Sequence, residues 1–242
     1  TPNEVGEYDH DIYISYNDDG NWQKAKMIPG SVNSNLDDIV NNLDFDGTRM
    51  LLHKDNNGQT DIYESKLNGD KWSFPEILPS SISSNKTNDM YGAYSPDGYK
   101  ITFAREVNTA SRGTNIMFSE MASKMLKDYK AAGRIGEVSS PFNDGPIYLH
   151  IDGKTMYIAS QGHESIGGYD IFVSKFTNTG WSTPVNMGYP INTPYDDFFF
   201  AATANGKYAY ISSNRPGGKG GFDIYKVTFW GEPKHPVVDM ED

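Results

Sequence analysis

The chain is built on an internal repeat. A tripeptide that begins with Asp or Asn and continues with Ile recurs five times, as DIY, DIY, NIM, DIF and DIY. Its first residues are Asp11, Asp61, Asn115, Asp170 and Asp223, so successive copies start 50 to 55 residues apart. A repeat of this length is typical of propellers and solenoids, in which each copy folds as one supersecondary unit. This feature limits the chain to a repeat architecture.

Two further marks keep a fixed order around the tripeptide. A turn sequence precedes the last four copies, at 44–47, 95–98, 150–153 and 203–206. A tryptophan lies eleven residues after the start of three copies, at Trp22, Trp72 and Trp181. The short apolar or alternating runs between these marks, separated by Gly, Asn and Asp, predict four consecutive antiparallel strands per unit. We therefore predict an all-β protein, a β-propeller with five four-stranded blades, six blades being the alternative.

The domain boundaries follow from the repeat. The propeller is expected to occupy residues 1–230, and residues 231–242 are expected to form a C-terminal tail or linker. The chain begins inside a unit, because no first or second strand precedes Asp11. Either chain outside this sequence completes the first blade, or the ring closes with a thin blade.

The third unit departs from the pattern. After its tripeptide, Met121, Met125, Leu126 and Tyr129 follow helical spacing, and Gly133 stands where a C-cap is expected. This predicts a short helical insertion near 119–133 in place of the usual strand hairpin. Such a helix would either cover the edge of the blade or dock a partner.

The glycine-rich stretch SSNRPGGKGGFDIY, residues 212–225, resembles a phosphate-binding loop in composition alone. A phosphate-binding loop needs Lys followed by Ser or Thr and then a helix, whereas Lys219 is followed by glycines and the strand-like FDIYKVTF. The same slot in the preceding unit reads SQGHESIGGYDIF, residues 160–172. We therefore predict a connection between the second and third strands of a blade, with no nucleotide cofactor.

Charge and composition exclude several functions. The 242 residues carry 21 Lys and Arg against 32 Asp and Glu, which gives a net charge of −11. No basic cluster offsets this charge, so nucleic acid and anionic membrane surfaces are not expected as partners. The chain has no cysteine, which excludes disulfides, thiol catalysis and zinc–thiolate sites. It also lacks an apolar run long enough to span a bilayer.

Part of the chain resembles a known family. The stretch GGYDIFVSKFTNTGWSTPVNMGYPINTPYDDFFF, residues 167–200, and the stretch 212–225 are similar to the propeller repeats of OmpA-family outer-membrane lipoproteins of Bacteroidetes, members of the type IX secretion system. Those repeats are similar in turn to the TolB propeller, with SPDG at 95–98 as their usual turn. The resemblance is close over 140–228 and looser over 9–139.

The resemblance implies a periplasmic, outer-membrane-associated module that is not catalytic and has protein partners in the cell envelope. In that family peptidoglycan is bound by a separate C-terminal domain. That domain is not in this sequence, so the resemblance assigns no peptidoglycan-binding residue here.

Two groups of charged residues are candidate site residues. One repeat position, ahead of the turn sequences, holds Asp38, Asp89, Asp144 and Asp197. We expect them to lead the inner strands and form a partial acidic ring near one mouth of the channel. The ring either accepts backbone N–H bonds or binds a cation or basic partner. Arg215 and Lys219 predict a basic rim on the last blade, and no metal site is expected.

Three functions are compatible with these patterns. One is a non-catalytic protein-binding scaffold of the cell envelope. Another is a TolB-like module that receives a peptide in its channel. The remaining one is a glycan-binding or glycoside-hydrolysing propeller, since glycosidases need two or three converging carboxylates. The four acids are copies related by the repeat, whereas a catalytic pair should break that symmetry. We therefore expect a scaffold without catalytic residues.

Overall fold

The fold is all-β in a computed structural model that describes residues 10–56, 58–106, 113–123 and 128–230. Within these residues the helical structure consists of one 3-10 turn, Gly136–Val138. The described residues begin with a nested pair of short hairpins, which we call the N-terminal hairpin. Its strands are β1 (Tyr13–Ile14), β2 (Asn17–Asp18), β3 (Asn21–Trp22) and β4 (Lys26–Met27), in which β1 pairs with β4 and β2 with β3.

Three sheets then repeat one plan, in which three long strands are followed by an outer strand split into two short pieces. Blade A contains β5 (Asp37–Leu43), β6 (Arg49–Asn56), β7 (Gln59–Asn68), β8 (Lys71–Trp72) and β9 (Glu76–Ile77). Blade B contains β10 (Asp89–Tyr94), β11 (Lys100–Glu106), β12 (Thr114–Ser123), β13 (Asp128–Tyr129) and β14 (Gly133–Arg134). Blade C contains β15 (Asp144–Leu149), β16 (Thr155–Ser160), β17 (Asp170–Thr177), β18 (Gly180–Trp181) and β19 (Val185–Asn186). All neighbouring strands are antiparallel, and both outer pieces pair with the third long strand.

The fourth sheet, blade D, has three strands in the described part of the chain. They are β20 (Asp197–Ala202), β21 (Tyr208–Ser213) and β22 (Asp223–Thr228). The glycine-rich stretch 212–225 joins β21 to β22, as the sequence predicts, and Ser213 pairs with Asp223 at its base. The four turn sequences join the first long strand of each blade to the second. Their glycines have φ angles between +63° and +70°, a left-handed conformation that favours glycine.

The blades pack face to face through four buried apolar clusters, each of which joins two neighbouring elements. Representative members are Ile12 with Leu52 (N-terminal hairpin and blade A), Ile62 with Phe103 (blades A and B), Ile116 with Met156 (blades B and C), and Ile171 with Ile211 (blades C and D). Burial of apolar area stabilises a fold by about 25 cal/mol per Å². Because each blade buries its faces against its neighbours in the sequence, the order of the blades along the chain is also their order in space.

The short helical insertion predicted near 119–133 is wrong for the residues that the structure describes. Strand β12 continues through Met121, which pairs with Tyr129 of β13, and Gly133 of β14 pairs with Phe118. Met125 and Leu126 lie at 124–127, outside the described residues. Tyr129 is buried in the cluster between blades A and B, and Met121 packs against that cluster. Burial of a short outer strand therefore explains the apolar pattern, which a run of this length shares with a helix.

The N-terminal hairpin lies between blade A and blade D. It shares one buried cluster with blade A, and on the other side Trp22 lies edge-to-face against Tyr210 of β21, with ring centroids 5.9 Å apart. The structure thus describes a propeller-like arrangement of four blades, with the hairpin supplying the equivalents of a third and fourth strand. The count of five blades stays a prediction, and so does the tail at 231–242, which lies outside the described residues.

Candidate functional site

The predicted acidic residues lie at the start of the first long strand of each blade. We call this end of the blades the Asp face. The four carboxylates are buried, with side chains of Asp89, Asp144 and Asp197 fully shielded and Asp38 nearly so. Each one accepts hydrogen bonds from the connection that leads into its own blade, and the burial therefore does not leave the charge without partners.

The first partners of the acids are backbone N–H groups and hydroxyls of the preceding connection. The N–H of Ser34 donates to Asp38 at 2.5 Å, and that of Ser140 donates to Asp144 at 2.6 Å. Thr193 donates to Asp197 through both its N–H and its hydroxyl, at 2.6 and 2.8 Å. In blade B the corresponding donors are the N–H of Ser84 and the hydroxyl of Thr87, both 3.0 Å from Asp89.

The second partner lies on or just after the second long strand, and in three blades it is a cation. Lys54 contacts Asp38 at 2.5 Å, Arg105 contacts Asp89 at 2.6 Å and Arg215 contacts Asp197 at 2.5 Å. In blade C a hydroxyl replaces the cation, since Ser160 donates to Asp144 at 2.6 Å. Each acid therefore fastens a connection to the second strand of its own blade.

Burial changes the acidity of two of these groups. Desolvation raises the pKa of Asp144, although the hydrogen bonds from Ser160 and Ser140 favour its charged form. Desolvation also raises the pKa of Asp89 against the opposing effect of the Arg105 guanidinium. The acids are thus buried and hydrogen-bonded within their own blades. Oxygen atoms that already accept these hydrogen bonds are not free to act as ligands.

The two members of the predicted basic rim have different surroundings. The guanidinium of Arg215 donates to Asp197 and to the carbonyl oxygens of Pro190 and Ile191, and it lies 5.1 Å from the ring centroid of Tyr225. Lys219 is exposed, and its backbone N–H donates to Asp223. The structure therefore brings Arg215 into contact with the acidic group and leaves Lys219 on the surface.

A group of aromatic side chains meets where the first long strands of the blades converge. Each of these strands contains a register shift of the kind that β-bulges produce. In blade B the shift places Tyr91 at a φ of +57°, and in blade D it places Phe199 at +43°. The ring of Tyr91 lies 6.1 Å from that of Phe199 and 5.8 Å from that of Phe198. Since blades B and D are separated by blade C, these contacts cross the axis of the propeller.

The same aromatic cluster also has contacts with residues of blades A and C. The ring of His53 lies edge-to-face on Tyr91, with centroids 5.0 Å apart, and its Nδ1 is 2.7 Å from the side-chain nitrogen of Asn41. Burial lowers the pKa of His53 to about 4 and raises the pKa of Tyr91 to about 12, so both side chains are neutral at pH 7. On the other side Phe198 contacts Tyr169, with centroids 4.7 Å apart. We call Tyr91, Tyr169, Phe198 and Phe199 the aromatic mouth.

Exposed apolar side chains lie on the connections of blades C and D, at the same end of the propeller as the aromatic mouth. They are Phe142, Ile166, Tyr195 and Phe222, which are 56%, 57%, 45% and 53% exposed. Each lies a few residues before a first or third long strand, and in antiparallel blades those strands begin at the same end. The Asp face therefore combines a neutral aromatic centre with an apolar border, a pattern associated with binding surfaces.

Sequence reasoning found the acids but missed the aromatic mouth. The stretch DFFFAAT predicts an inner strand that is apolar on both faces, and regular alternation hides a bulge that turns Phe199 toward the axis. A signal was available in the sequence, because Tyr91 and Phe199 both lie two residues after one of the four repeat-related aspartates. Among the residues that the structure describes, no group of three or more His, Asp or Glu is arranged to hold a metal ion.

Comparison with solved structures identifies the kind of propeller. TolB from Acinetobacter baumannii aligns with a TM-score of 0.56 and 16% identity, covering 89% of this chain and 46% of TolB. A putative TolB from Agrobacterium tumefaciens aligns with a TM-score of 0.52 and 13% identity, covering 83% of this chain and 62% of that protein. A thermostable family-43 glycoside hydrolase aligns with a TM-score of 0.51 and 14% identity, covering 91% of this chain and 84% of the hydrolase.

These likenesses establish the fold as a β-propeller similar to that of TolB. The chain spans less than two thirds of the length of either TolB protein. No protein-family profile and no curated protein matches the sequence. No helix in the described residues is long and apolar enough to cross a membrane.

Proposed function

We propose that this propeller is a non-catalytic protein-binding module whose Asp face takes up an extended apolar segment of a partner. The observation that carries the proposal is the contact of Tyr91 with Phe198 and Phe199 across the axis. Aromatic side chains of this kind bury a large contact area at little cost in side-chain entropy. Because the rings of Tyr91, Phe198 and Phe199 meet across the axis, we expect the segment to lie over the mouth rather than to thread through it.

The state of the carboxylates supports binding rather than hydrolysis. A glycosidase needs one carboxyl group poised as acid and another free to act as nucleophile or base. Here Asp38, Asp89 and Asp197 are neutralised by cations within 2.6 Å, and Asp144 accepts from Ser140 and Ser160. Groups that are bonded in this way fasten strands and are poorly placed to attack a substrate.

The cellular setting of the proposal comes from the resemblance of the repeats. We place the module in the periplasm, as the propeller of an OmpA-like, peptidoglycan-associated lipoprotein of the type IX secretion system at the outer membrane. Its partners are then other envelope proteins of that system, and peptidoglycan is bound by a separate domain of the same lipoprotein. The TolB-like fold is consistent with this setting.

Envelope co-purification with matched variants tests the proposal. The wild-type chain is compared with a Phe142→Ser, Tyr195→Ser double variant, which removes two border side chains of the Asp face. The control is Phe45→Ser, because Phe45 is 61% exposed in the turn 44–47 at the opposite end of blade A. We expect the double variant to lose an envelope protein that the wild type and the control both retain. Equal retention by all three would overturn the proposal.

A second candidate, a glycan-processing propeller, is favoured by the likeness to the family-43 hydrolase and by the aromatic mouth. It is tested by incubating the chain with a panel of oligosaccharides and measuring both release of reducing ends and binding. Hydrolysis that disappears in a folded Asp144→Asn variant would establish this function in place of the scaffold. We expect neither hydrolysis nor sugar binding.

A further inference from the structure

The loop between the second and third strands of blade C, residues 161–169, is held on both sides by close backbone contacts. A Cβ at Gly162 would collide with the side chain of Ser140, in the connection that leads into blade C. A Cβ at Gly167 would collide with the carbonyl oxygen of Tyr195, in the connection that leads into blade D. Only glycine allows the backbone to approach this closely. The loop is therefore wedged between two connections.

Hydrogen bonds fix the part of this loop that carries Ile166. The N–H of Ile166 donates to the buried carboxylate of Asp170 at 2.6 Å, and the same carboxylate accepts from the side chain of Asn186 at 2.7 Å. The N–H of Ser165 donates to the carbonyl oxygen of Gly162 at 3.1 Å. The side chain of Ile166 is nevertheless 57% exposed. An apolar side chain that projects from a backbone fixed in this way loses little conformational entropy on binding.

Two residues of the loop adopt a backbone conformation that favours glycine. His163 has a φ of +53° and Glu164 has a φ of +65°. Strain of this kind is concentrated at functional sites. Packing accounts for His163, because its Nε2 lies 3.1 Å from the carbonyl oxygen of Val138 and its ring lies edge-to-face on Phe172. Glu164 is exposed, and among the described residues its carboxylate has no hydrogen-bond or ion-pair partner. Its side chain is therefore available to a ligand.

The loop that carries Ile166 joins two other exposed apolar side chains. The Cβ position of Gly162 lies 3.3 Å from the ring of Phe142, and Gly167 approaches the backbone of Tyr195. Phe142 and Tyr195 are about as exposed as Ile166. We call Phe142, Ile166 and Tyr195 the blade C shelf. It is an apolar surface on the Asp face that is supported by a rigid loop.

The charge beside the shelf is negative. Three chain segments carry the shelf, namely the two connections and the loop, at 135–143, 187–196 and 161–169. Together they contain three acidic residues, Glu137, Glu164 and Asp196, and no Lys or Arg. Arg215 donates to one of these segments, but its charge is neutralised by Asp197. An apolar surface with this border favours a basic ligand over an acidic one.

We propose that the blade C shelf determines the specificity of the Asp face, and that it selects a partner segment in which Lys or Arg lies beside a large apolar side chain. The apolar side chain packs on Ile166, and Glu164 pairs with the cation. The inference rests on the protein-binding function proposed above. It names the chemistry of the segment that this face takes up.

Peptide binding to the full 242-residue chain tests the inference. The probe is the capped, fluorescently labelled peptide Gly-Lys-Leu-Phe-Lys-Leu-Gly, and the matched probe carries Glu in place of each Lys. We expect the Lys peptide to bind about tenfold more tightly than the Glu peptide. Glu164→Gln should weaken binding of the Lys peptide about fivefold. Asp46→Asn makes the same change of charge at an exposed residue of the turn 44–47, and it should leave binding unchanged.

Two further substitutions separate a binding role from a structural one. Ile166→Ser should weaken binding of both peptides, and Ile166→Val should keep most of the affinity. Glu164→Gly should lose the preference for the Lys peptide and yet unfold at a higher temperature than the wild type, because glycine adopts the left-handed conformation without strain. Equal affinity of the wild type for the two peptides, or equal effects of Glu164→Gln and Asp46→Asn, would overturn the inference.

Envelope co-purification separates failure of the inference from failure of the proposed function. We expect Ile166→Ser to lose the same envelope protein as the Phe142→Ser, Tyr195→Ser variant. Loss by the double variant together with full retention by Ile166→Ser and Glu164→Gln would overturn the inference and leave the proposed function intact. Equal retention by all the variants would overturn both.

Discussion

Arg215 and Asp197 form an ion pair at 2.5 Å that joins the glycine-rich connection of blade D to the start of its first strand. The guanidinium also donates to two carbonyl oxygens of the connection that leads into the blade. A fully buried carboxylate, a partly buried guanidinium and a loop rich in glycine are thus held together at one point. The pair explains why a connection of this composition keeps a defined path.

Removal of the guanidinium should strongly destabilise the fold. Arg215→Ala leaves the buried Asp197 without its counter-ion, which costs roughly 3 kcal/mol of unfolding free energy in comparable buried pairs. Lys219→Ala, a change at an exposed residue of the same loop, should alter stability by less than about 0.5 kcal/mol. Urea unfolding of the two variants measures the difference. Similar midpoints would show that the pair contributes little.

The buried His53 should make stability fall in mild acid. Its pKa of about 4 in the fold lies below the ordinary value of 6.5, so the folded state binds fewer protons than the unfolded state as pH falls. Stability is therefore retained above pH 6.5 and lost as pH falls toward 4, by about 2 kcal/mol between pH 7 and pH 5. In His53→Gln this part of the pH dependence should be absent, whatever its stability at pH 7. An unchanged slope in denaturant unfolding would contradict the assignment.

A methyl group at residue 145 should disturb the aromatic mouth. In Gly145→Ala the added Cβ would lie 2.7 Å from the Tyr91 ring and 3.1 Å from the Cβ of Ala104, at a φ of +109°. We expect a loss of about 2 to 4 kcal/mol in stability, from the strain and the displaced ring. Gly153→Ala is the control, because it also has a positive φ but meets its nearest atom at 3.9 Å, and it should lose about 1 kcal/mol. Equal losses of stability in the two variants would mean that the Tyr91 ring moves aside without lowering the free energy of unfolding.

The serine that joins the third strand of blade C to its outer strand should contribute to stability. Ser174→Ala removes a 2.6 Å hydrogen bond to the Ser182 carbonyl at a buried position, which should cost about 1 to 2 kcal/mol. Thr183→Ala is the control, because it changes an exposed residue next to the same carbonyl, and it should alter stability by less than about 0.5 kcal/mol. Thermal unfolding of both variants measures the contrast. Equal losses would contradict the role given to the Ser174 hydroxyl.

The repeat could be predicted because its marks are local. A glycine with positive φ in each turn and an aspartate or asparagine near the start of each third strand depend on a few neighbouring residues. The short outer strand at Tyr129 could not be told from a helix, since two-residue strands carry too little periodicity to decide. Its identity depends on the neighbouring blade, against which Tyr129 is buried.

The partners of the acids follow from the strand register. Lys54, Arg105 and Ser160 lie directly opposite their aspartates in the strand register. Arg215 lies two residues beyond the residue that pairs with Asp197, so it lies at a different offset in the sequence. The aromatic mouth needs contacts between blades that are not adjacent, and the shared repeat position of Tyr91 and Phe199 does not by itself predict those contacts.

The junction between the N-terminal hairpin and blade D, where Trp22 contacts Tyr210, differs from the other junctions of the propeller. Among the residues that the structure describes, buried clusters join the other neighbouring elements, whereas none of the four clusters joins the N-terminal hairpin to blade D. Local opening starts where few apolar contacts must be broken. Under mechanical load the propeller should therefore open first between Trp22 and Tyr210, while blades A to D stay packed on one another.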